Sequence, residues 1–181
     1  FAILDKNCNR LILARDHFGV KPLFYYHQNG NLIFASESKA ILSHPMVNKA
    51  RNKNAIHLLS NLRYVQSEET IFKGIYSIPP GCFMKYENNS YKIMKYYDFN
   101  PKIDPLDSHQ AQEGIIYHFK NAVQKQLISD VPVGVYLSGG IDSSAIVAIM
   151  SDLGLNDIST FTLGFNEPTD EFESAKIISD R

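Results

Sequence analysis

Residues Val131 to Ala145, reading Val-Pro-Val-Gly-Val-Tyr-Leu-Ser-Gly-Gly-Ile-Asp-Ser-Ser-Ala, constrain this chain more than any other stretch. Val133, Val135 and Leu137 stand among apolar neighbours, as in a short strand buried on both faces of a parallel sheet. The strand pattern stops at Ser138-Gly139-Gly140, and the run Ser143 to Met150 then predicts a buried helix. A strand, a glycine turn and a helix in that order make the geometry of an anion site.

A helix start leaves several backbone N–H groups unpartnered and carries the positive end of the macrodipole. Adjacent glycines remove the Cβ atoms and allow a phosphate to approach the main chain. Ser138, Ser143 and Ser144 can add hydroxyl donors. Asp142 would repel a phosphate unless a cation lay between them, which points to Mg²⁺, a hard ion that bridges carboxylates to substrate phosphates. The turn lacks the lysine of G-x-x-x-x-G-K-[ST], and no G-x-G-x-x-G occurs in the chain. These absences argue against a P-loop kinase or a dinucleotide fold. A serine- and glycine-rich turn without a ligand is the plainer alternative.

Charge separates the chain into two parts. Residues 1–100 hold 13 Lys and Arg against 7 Asp and Glu, whereas residues 101–181 hold 5 against 12. The positive charges are scattered singly among tyrosines and apolar residues, which suits two domains of different composition better than a nucleic-acid tail. Cys8 and Cys82 form no C-x-x-C and no metal-type cluster, so free thiols in a reducing compartment are expected. No apolar run reaches the roughly 18 residues of a membrane span, and a cytoplasmic protein without membrane contact is the expectation. Phe1 starts inside a strand-like run and Arg181 stops inside a helix-like one, so the chain reads as an internal fragment.

Residues 1–100 read as strands and tight turns. Phe1 to Asp5 and Arg10 to Ala14 flank one hairpin turn, and Leu23 to His27 and Asn31 to Ala35 flank the Asn29-Gly30 pair. Four consecutive antiparallel strands suggest one sheet. One or two helical turns are predicted over Ser36 to Ser43, and a helix over Asn54 to Arg63 with Ile56, Leu59 and Leu62 on one face. Asn88-Asn89-Ser90 reads as a turn, despite matching the glycosylation pattern. Between the hairpins, Arg15-Asp16-His17-Phe18-Gly19-Val20-Lys21-Pro22-Leu23 suits a plain loop in which Asp16 caps locally and Gly19 turns the chain. Tyr91, Tyr96, Tyr97 and Phe99 read as core and rim, since a base-stacking platform also needs a basic groove.

Residues 101–107, within a proline-bearing polar stretch, read as a linker. Asp107 with Gln110 predicts a capping box opening a helix to about Ile128, with Ile115, Phe119, Val123 and Leu127 as its buried stripe. His109 and His118 lack a second ligand at metal spacing and read as ordinary histidines. Asp157 to Phe165 predicts a second strand, which completes a βαβ unit and places Leu163-Gly164-Phe165 near the glycine turn, because ligands of such sheets bind at the carboxyl ends of strands. Asp170-Glu171 predicts an acidic start to a last helix.

Leu137 to Ser144 resembles the S-G-G-x-D-S pyrophosphate loop of the N-type ATP pyrophosphatases. The Arg15 to Leu23 loop, followed by Ala35-Ser36-Glu37-Ser38-Lys39-Ala40-Ile41-Leu42, resembles class II glutamine amidotransferases. Thr70-Ile71-Phe72-Lys73-Gly74-Ile75 and Ile78-Pro79-Pro80-Gly81 are similar to the end of the glutaminase domain in asparagine synthetases. Together these motifs resemble the glutamine-hydrolysing asparagine synthetase family. The resemblance implies an α+β antiparallel-sheet glutaminase tail of Ntn-hydrolase type over 1–100, a linker over 101–107, and the α/β parallel-sheet start of an ATP pyrophosphatase, of adenine nucleotide alpha hydrolase type, over 108–181. It implies glutamine, aspartate and ATP as substrates, β-aspartyl-AMP as intermediate, and Mg²⁺ as the metal, and it leaves a homodimer open for the full-length protein. ATP is expected against Leu137, Ser138, Gly139, Gly140, Asp142, Ser143 and Leu163, with Asp142 on the metal. The family's amino-terminal cysteine has no counterpart here, so no catalytic residue is assigned to Cys8 or Cys82, and the piece alone is expected to be inactive. An amidotransferase acting on a sugar or peptide carboxylate, a non-catalytic nucleotide-binding homologue, and a nucleic-acid binder are the competing readings.

Overall fold

A computed structural model describes residues 1–65, 68–101 and 105–180. The chain divides into two compact units, Phe1–Lys102 and Ile103–Arg181. Lys102 to Asp104 of the expected linker, and Arg181 at the end of the expected last helix, lie outside the described residues.

In the first unit, β1 (Ala2–Asp5) and β2 (Arg10–Ala14) pair antiparallel, as do β3 (Phe24–Gln28) and β4 (Asn31–Ala35). Both predicted hairpins therefore form. Asn29 and Gly30 sit at φ 51 and 74, the mirror-image turn whose twist matches the flanking strands. Two short helices follow, α1 (Ser38–Leu42) and α2 (Lys53–Leu62), then β5 (Ile75–Ser77), β6 (Cys82–Glu87) and β7 (Ser90–Lys95). Asn88 and Asn89, at φ 51 and 59, make the turn between the last two strands, as read from their composition.

The hairpins do not join into one sheet. The strand orders are β1-β2-β6-β7 and β4-β3-β5, so β2 takes β6 as its second neighbour and β3 takes β5. The loop between β2 and β3 turns away to another layer, and each hairpin finds a partner far along the chain. Leu13, Cys82 and Met84 of the first sheet pack with Tyr25 of the second and with Ile78. Tyr26, one residue on, faces the other way and packs with Ile41 of α1, Val47 and Ile75. The second sheet is thus covered on both sides, and each large side chain so buried contributes about 1.5–3 kcal/mol.

The predicted apolar face of α2 differs from the one observed. Ala55 is buried while Leu59 and Leu62 are 40% and 44% exposed. The helix is fastened at its first turn, where the Asn52 side chain accepts from Ala55 N–H at 3.3 Å and Asn52 N–H donates to the Ile71 carbonyl at 2.8 Å.

The second unit opens with α3 (Ser108–Gln126), whose capping box is formed as predicted: Gln110 N–H donates to Asp107 Oδ1 at 2.8 Å and Asp107 N–H to Gln110 Oε1 at 3.2 Å. Val123 of its stripe is buried and Phe119 and Leu127 are half-buried, but Ile115 is 66% exposed, because the packed part of the helix is its later turns. Then come β8 (Gly134–Tyr136), α4 (Ile141–Asp152), β9 (Ser159–Phe161) and α5 (Phe172–Ser179). β8 and β9 pair in parallel with Val135 opposite Thr160, giving the predicted strand, helix, strand order. Both strands are shorter than predicted. β8 is not buried on both faces: Tyr136 is 74% exposed, while Leu137, Val147 and Ala175 form the core with Val135 and Ile178 against them.

Candidate functional site

The second unit places its glycine turn at the end of β8. Leu137 N–H donates to the Phe161 carbonyl at 2.9 Å, and Thr162 Oγ1 donates to the Leu137 carbonyl at 2.7 Å, so the parallel pairing is carried one residue past the strand. Leu137 directs its side chain into the core, leaving no apolar surface there for a base. Ser138 and Ser143 face each other across the turn. Ser138 N–H donates to Ser143 Oγ at 3.2 Å, their hydroxyls lie 3.0 Å apart, and Ser143 Oγ donates to the Gly140 carbonyl at 3.2 Å.

The two glycines do different work. Gly139 sits at φ +75, and a Cβ on it would lie 2.8 Å from the Ser174 carbonyl carbon and 2.9 Å from the Ala175 nitrogen of α5. Packing of backbone on helix therefore demands Gly139. Gly140, at φ −72 and ψ 162, has a conformation open to any residue, and its nearest neighbour to a Cβ is Ser138 Oγ at 3.4 Å. It is the N-cap of α4 and gives no side-chain cap. The start of α4 thus presents backbone donors beside a position bare of side chain, an arrangement able to take an anion.

Asp142 lies in the first turn of α4 and is exposed. No group of three or more His, Cys, Asp or Glu able to hold a metal occurs among the described residues. A single carboxylate suits Mg²⁺ held between protein and phosphates, since that ion keeps most of its ligands from substrate and water. Ser144 Oγ is buried without a hydrogen-bond partner among the described residues. Such atoms are rare in folded proteins.

Leu163 is 73% exposed just beyond the Thr162 bond, so its side chain is open to a ligand at the carboxyl end of β9. Asp170 accepts backbone N–H groups from Phe165 at 3.0 Å and Glu167 at 3.2 Å, which makes it the organiser of the loop after β9. His109 stands 3.6 Å from Glu113 on the exposed side of α3, and His118 packs its ring on Tyr117; neither reaches the turn.

In the first unit, the loop from Arg15 to Lys21 borders a cleft of about 560 Å³ with Phe34, Ser36 and Tyr96. Asp16 caps locally as its composition suggests: its carboxylate accepts from Phe18 N–H at 3.2 Å, Val20 N–H at 2.9 Å and Lys21 N–H at 3.0 Å. These donors, Lys21 foremost and then Val20, hold its carboxyl below the usual carboxylate range. Arg15 donates to the carbonyls of Lys21, Ile78 and Gly19 at 3.1, 2.8 and 2.7 Å and to Ser77 Oγ at 2.9 Å. That clamp joins residues more than sixty positions apart, and no local signal announces it. Tyr91, Tyr96 and Phe99 are rim rather than core. Cys8 is exposed and Cys82 buried, both as free thiols.

Residues 1–97 match the model of the glutamine amidotransferase domain, and residues 115–181 match that of asparagine synthase. A Methanocaldococcus jannaschii protein provisionally named glutamine-hydrolysing asparagine synthetase 2 is 34% identical over 99% of this chain and 36% of its own length. The glutamine-hydrolysing asparagine synthetase 3 of Bacillus subtilis is 34% identical over 97% of this chain and 29% of its own length. An amidase of Gibberella zeae is 32% identical over 84% of this chain and 23% of its length. The chain therefore spans about a third or less of the relatives it matches.

Proposed function

The chain belongs to the family of glutamine amidotransferase domains, continued here into the start of an asparagine synthase domain, and on that premise we propose that it is part of an ATP-dependent enzyme that makes asparagine from aspartate and glutamine-derived nitrogen. What supports the reading is the turn at 138–140, where an uncapped helix start meets a bare Gly140. Ser138, Gly139, Gly140 and Ser143 would hold the β- and γ-phosphates of ATP through backbone N–H and hydroxyl donors. Leu137 frames that turn from the core, and Leu163 would cover the base.

Glutamine hydrolysis supplies ammonia. An oxygen of the aspartate side-chain carboxylate attacks the α-phosphorus of ATP, the bond from that phosphorus to the bridging oxygen breaks, and pyrophosphate leaves. Ammonia then adds to the acyl carbon of β-aspartyl-AMP, AMP departs with the acyl oxygen bond, and the nitrogen loses a proton to give the amide. The helix start would stabilise charge gathering on the leaving pyrophosphate. Asp142 would hold Mg²⁺, which when bound neutralises phosphate charge.

Exchange of labelled pyrophosphate into ATP by the full-length parent tests this. Aspartate-dependent exchange, reduced about a hundredfold or more by Asp142→Ala, is the expected result. The likeness to a fungal amidase favours a second reading, in which the same chemistry serves another carboxylic acid. Exchange that needs a different acid would select it, and exchange with none would overturn both.

A further inference from the structure

The loop between β9 and α5 is built around one carboxylate. Phe165 N–H donates to both oxygens of Asp170 at 3.0 Å, and Glu167 N–H donates to Oδ2 at 3.2 Å. Asp170 N–H donates back to the Glu167 carbonyl at 3.0 Å, and Asn166 at φ 60 turns the chain between them. Gly164 leaves room for this arrangement, since a Cβ on it would lie 2.8 Å from Asp170 Oδ2 and would meet the Phe172 ring. The sheet bonds end earlier, where Thr162 Oγ1 donates to the Leu137 carbonyl. Beyond Thr162, and among the described residues, the hydrogen bonds that fasten residues 163–167 are all made by Asp170.

That loop adjoins the glycine turn at both of its ends. Leu163 follows directly on Thr162, whose hydroxyl is bonded to the residue before Ser138. Asp170 precedes Glu171, the N-cap of α5, and the α5 backbone at Ser174 and Ala175 lies against Gly139. The stretch between the two ends carries the exposed Leu163 and Phe165, and its backbone shape rests on the Asp170 carboxylate. Bonds to an ionised acceptor are stronger than neutral ones, so the loop is held firmly while the carboxylate is present. Without it the loop samples other shapes, and a ligand that needs this one binds more weakly in proportion to the fraction that remains.

We propose that Asp170 is a positioning residue for the nucleotide base: it holds the Leu163 to Phe165 backbone so that Leu163 stands beside the glycine turn, and so sets affinity for the adenosine part of ATP but not for the pyrophosphate part. The inference rests on the function proposed above. Its test measures dissociation constants of ATP, AMP and inorganic pyrophosphate for the full-length parent and its variants. Asp170→Ala is expected to weaken AMP roughly tenfold or more, the scale of one hydrogen bond to a charged group, and to leave pyrophosphate within about twofold. Asp170→Asn, which keeps one acceptor oxygen, should lose less, and it carries the same comparison if Asp170→Ala does not fold. Leu163→Ala should show the same selectivity for AMP, and the double variant should lose no more than the worse single, because both changes act through one contact. Parent-level AMP affinity without the carboxylate overturns the proposal. So does equal weakening of AMP and pyrophosphate, which a merely structural role through α5 and Gly139 would give, and so do losses that multiply in the double variant. A parent that binds pyrophosphate but not AMP overturns this inference alone. One that binds none of the three overturns the function as well, and that is read before any variant is compared.

Discussion

The Arg15 to Lys21 loop and the Ser138 to Ser144 turn are both polar, both contain glycine and both follow a strand, yet they spend their polar groups in opposite ways. In the first, the Asp16 carboxylate and the Arg15 guanidinium turn inward onto neighbouring backbone and Ser77. In the second, the helix start lacks a side-chain cap, Asp142 is exposed and Ser144 Oγ lacks a partner among the described residues. The first loop spends its charged side chains on its own backbone; the second bonds Ser138 and Ser143 to each other but leaves its helix start without a side-chain cap and its carboxylate exposed. An acidic residue beside a turn is therefore no guide to function until its acceptor capacity has been accounted for.

The sharpest way to break this contrast is Gly139→Ala. Strain at φ +75 and collision with the α5 backbone should cost about 3 kcal/mol or more, read as a lower denaturation midpoint of the parent protein. Retention of the parent midpoint would show that α5 is not held against the turn.

Acid should separate the two loops next. The folded-state pKa of Asp16 is lowered, so its contribution is present in full above the ordinary carboxylate value and drains away as pH falls through the folded one. Thermal midpoints of the parent followed downward from about pH 5 should fall, and Asp16→Asn should flatten that fall. Identical slopes in the two proteins would refute the assignment.

Gly140→Ala should have the smallest effect on the fold, under about 0.5 kcal/mol, since neither its dihedrals nor its surroundings forbid a methyl group. Pyrophosphate exchange should nonetheless drop, because that methyl stands where the anion would approach. Full exchange activity in Gly140→Ala would remove the bare cap from the argument.

The parts of this molecule legible from sequence are those whose cause is local. Asn29-Gly30 and Asn88-Asn89 announce their turns because few other residues accept left-handed backbone, and Asp107 with Gln110 announces the start of α3. β7 also carried a local signal, alternation through Tyr91 and Ile93 after an asparagine turn. The pairing of β2 with β6 had none, since edge choice depends on which strand arrives from elsewhere. The open face of α2 and the exposed Ile115 have the same origin: periodicity shows that a face is apolar, not whether anything covers it. At the glycine turn, sequence could not divide the labour between Gly139 and Gly140, because the demand on Gly139 comes from α5, more than thirty residues away.

The two-sheet arrangement also dictates an order of events when the first unit folds. Each hairpin closes over two to four residues, whereas the pairing of Leu11 to Ala14 with Phe83 to Tyr86 must wait for a loop of some seventy residues to close. Hairpins form in microseconds and non-local strand pairing is the slow part of such topologies. Until β6 arrives, β2 has a bare edge and Leu13 lacks its neighbours, so the unit spends the longest part of its folding time as three separate ribbons with their adhesive sides uncovered.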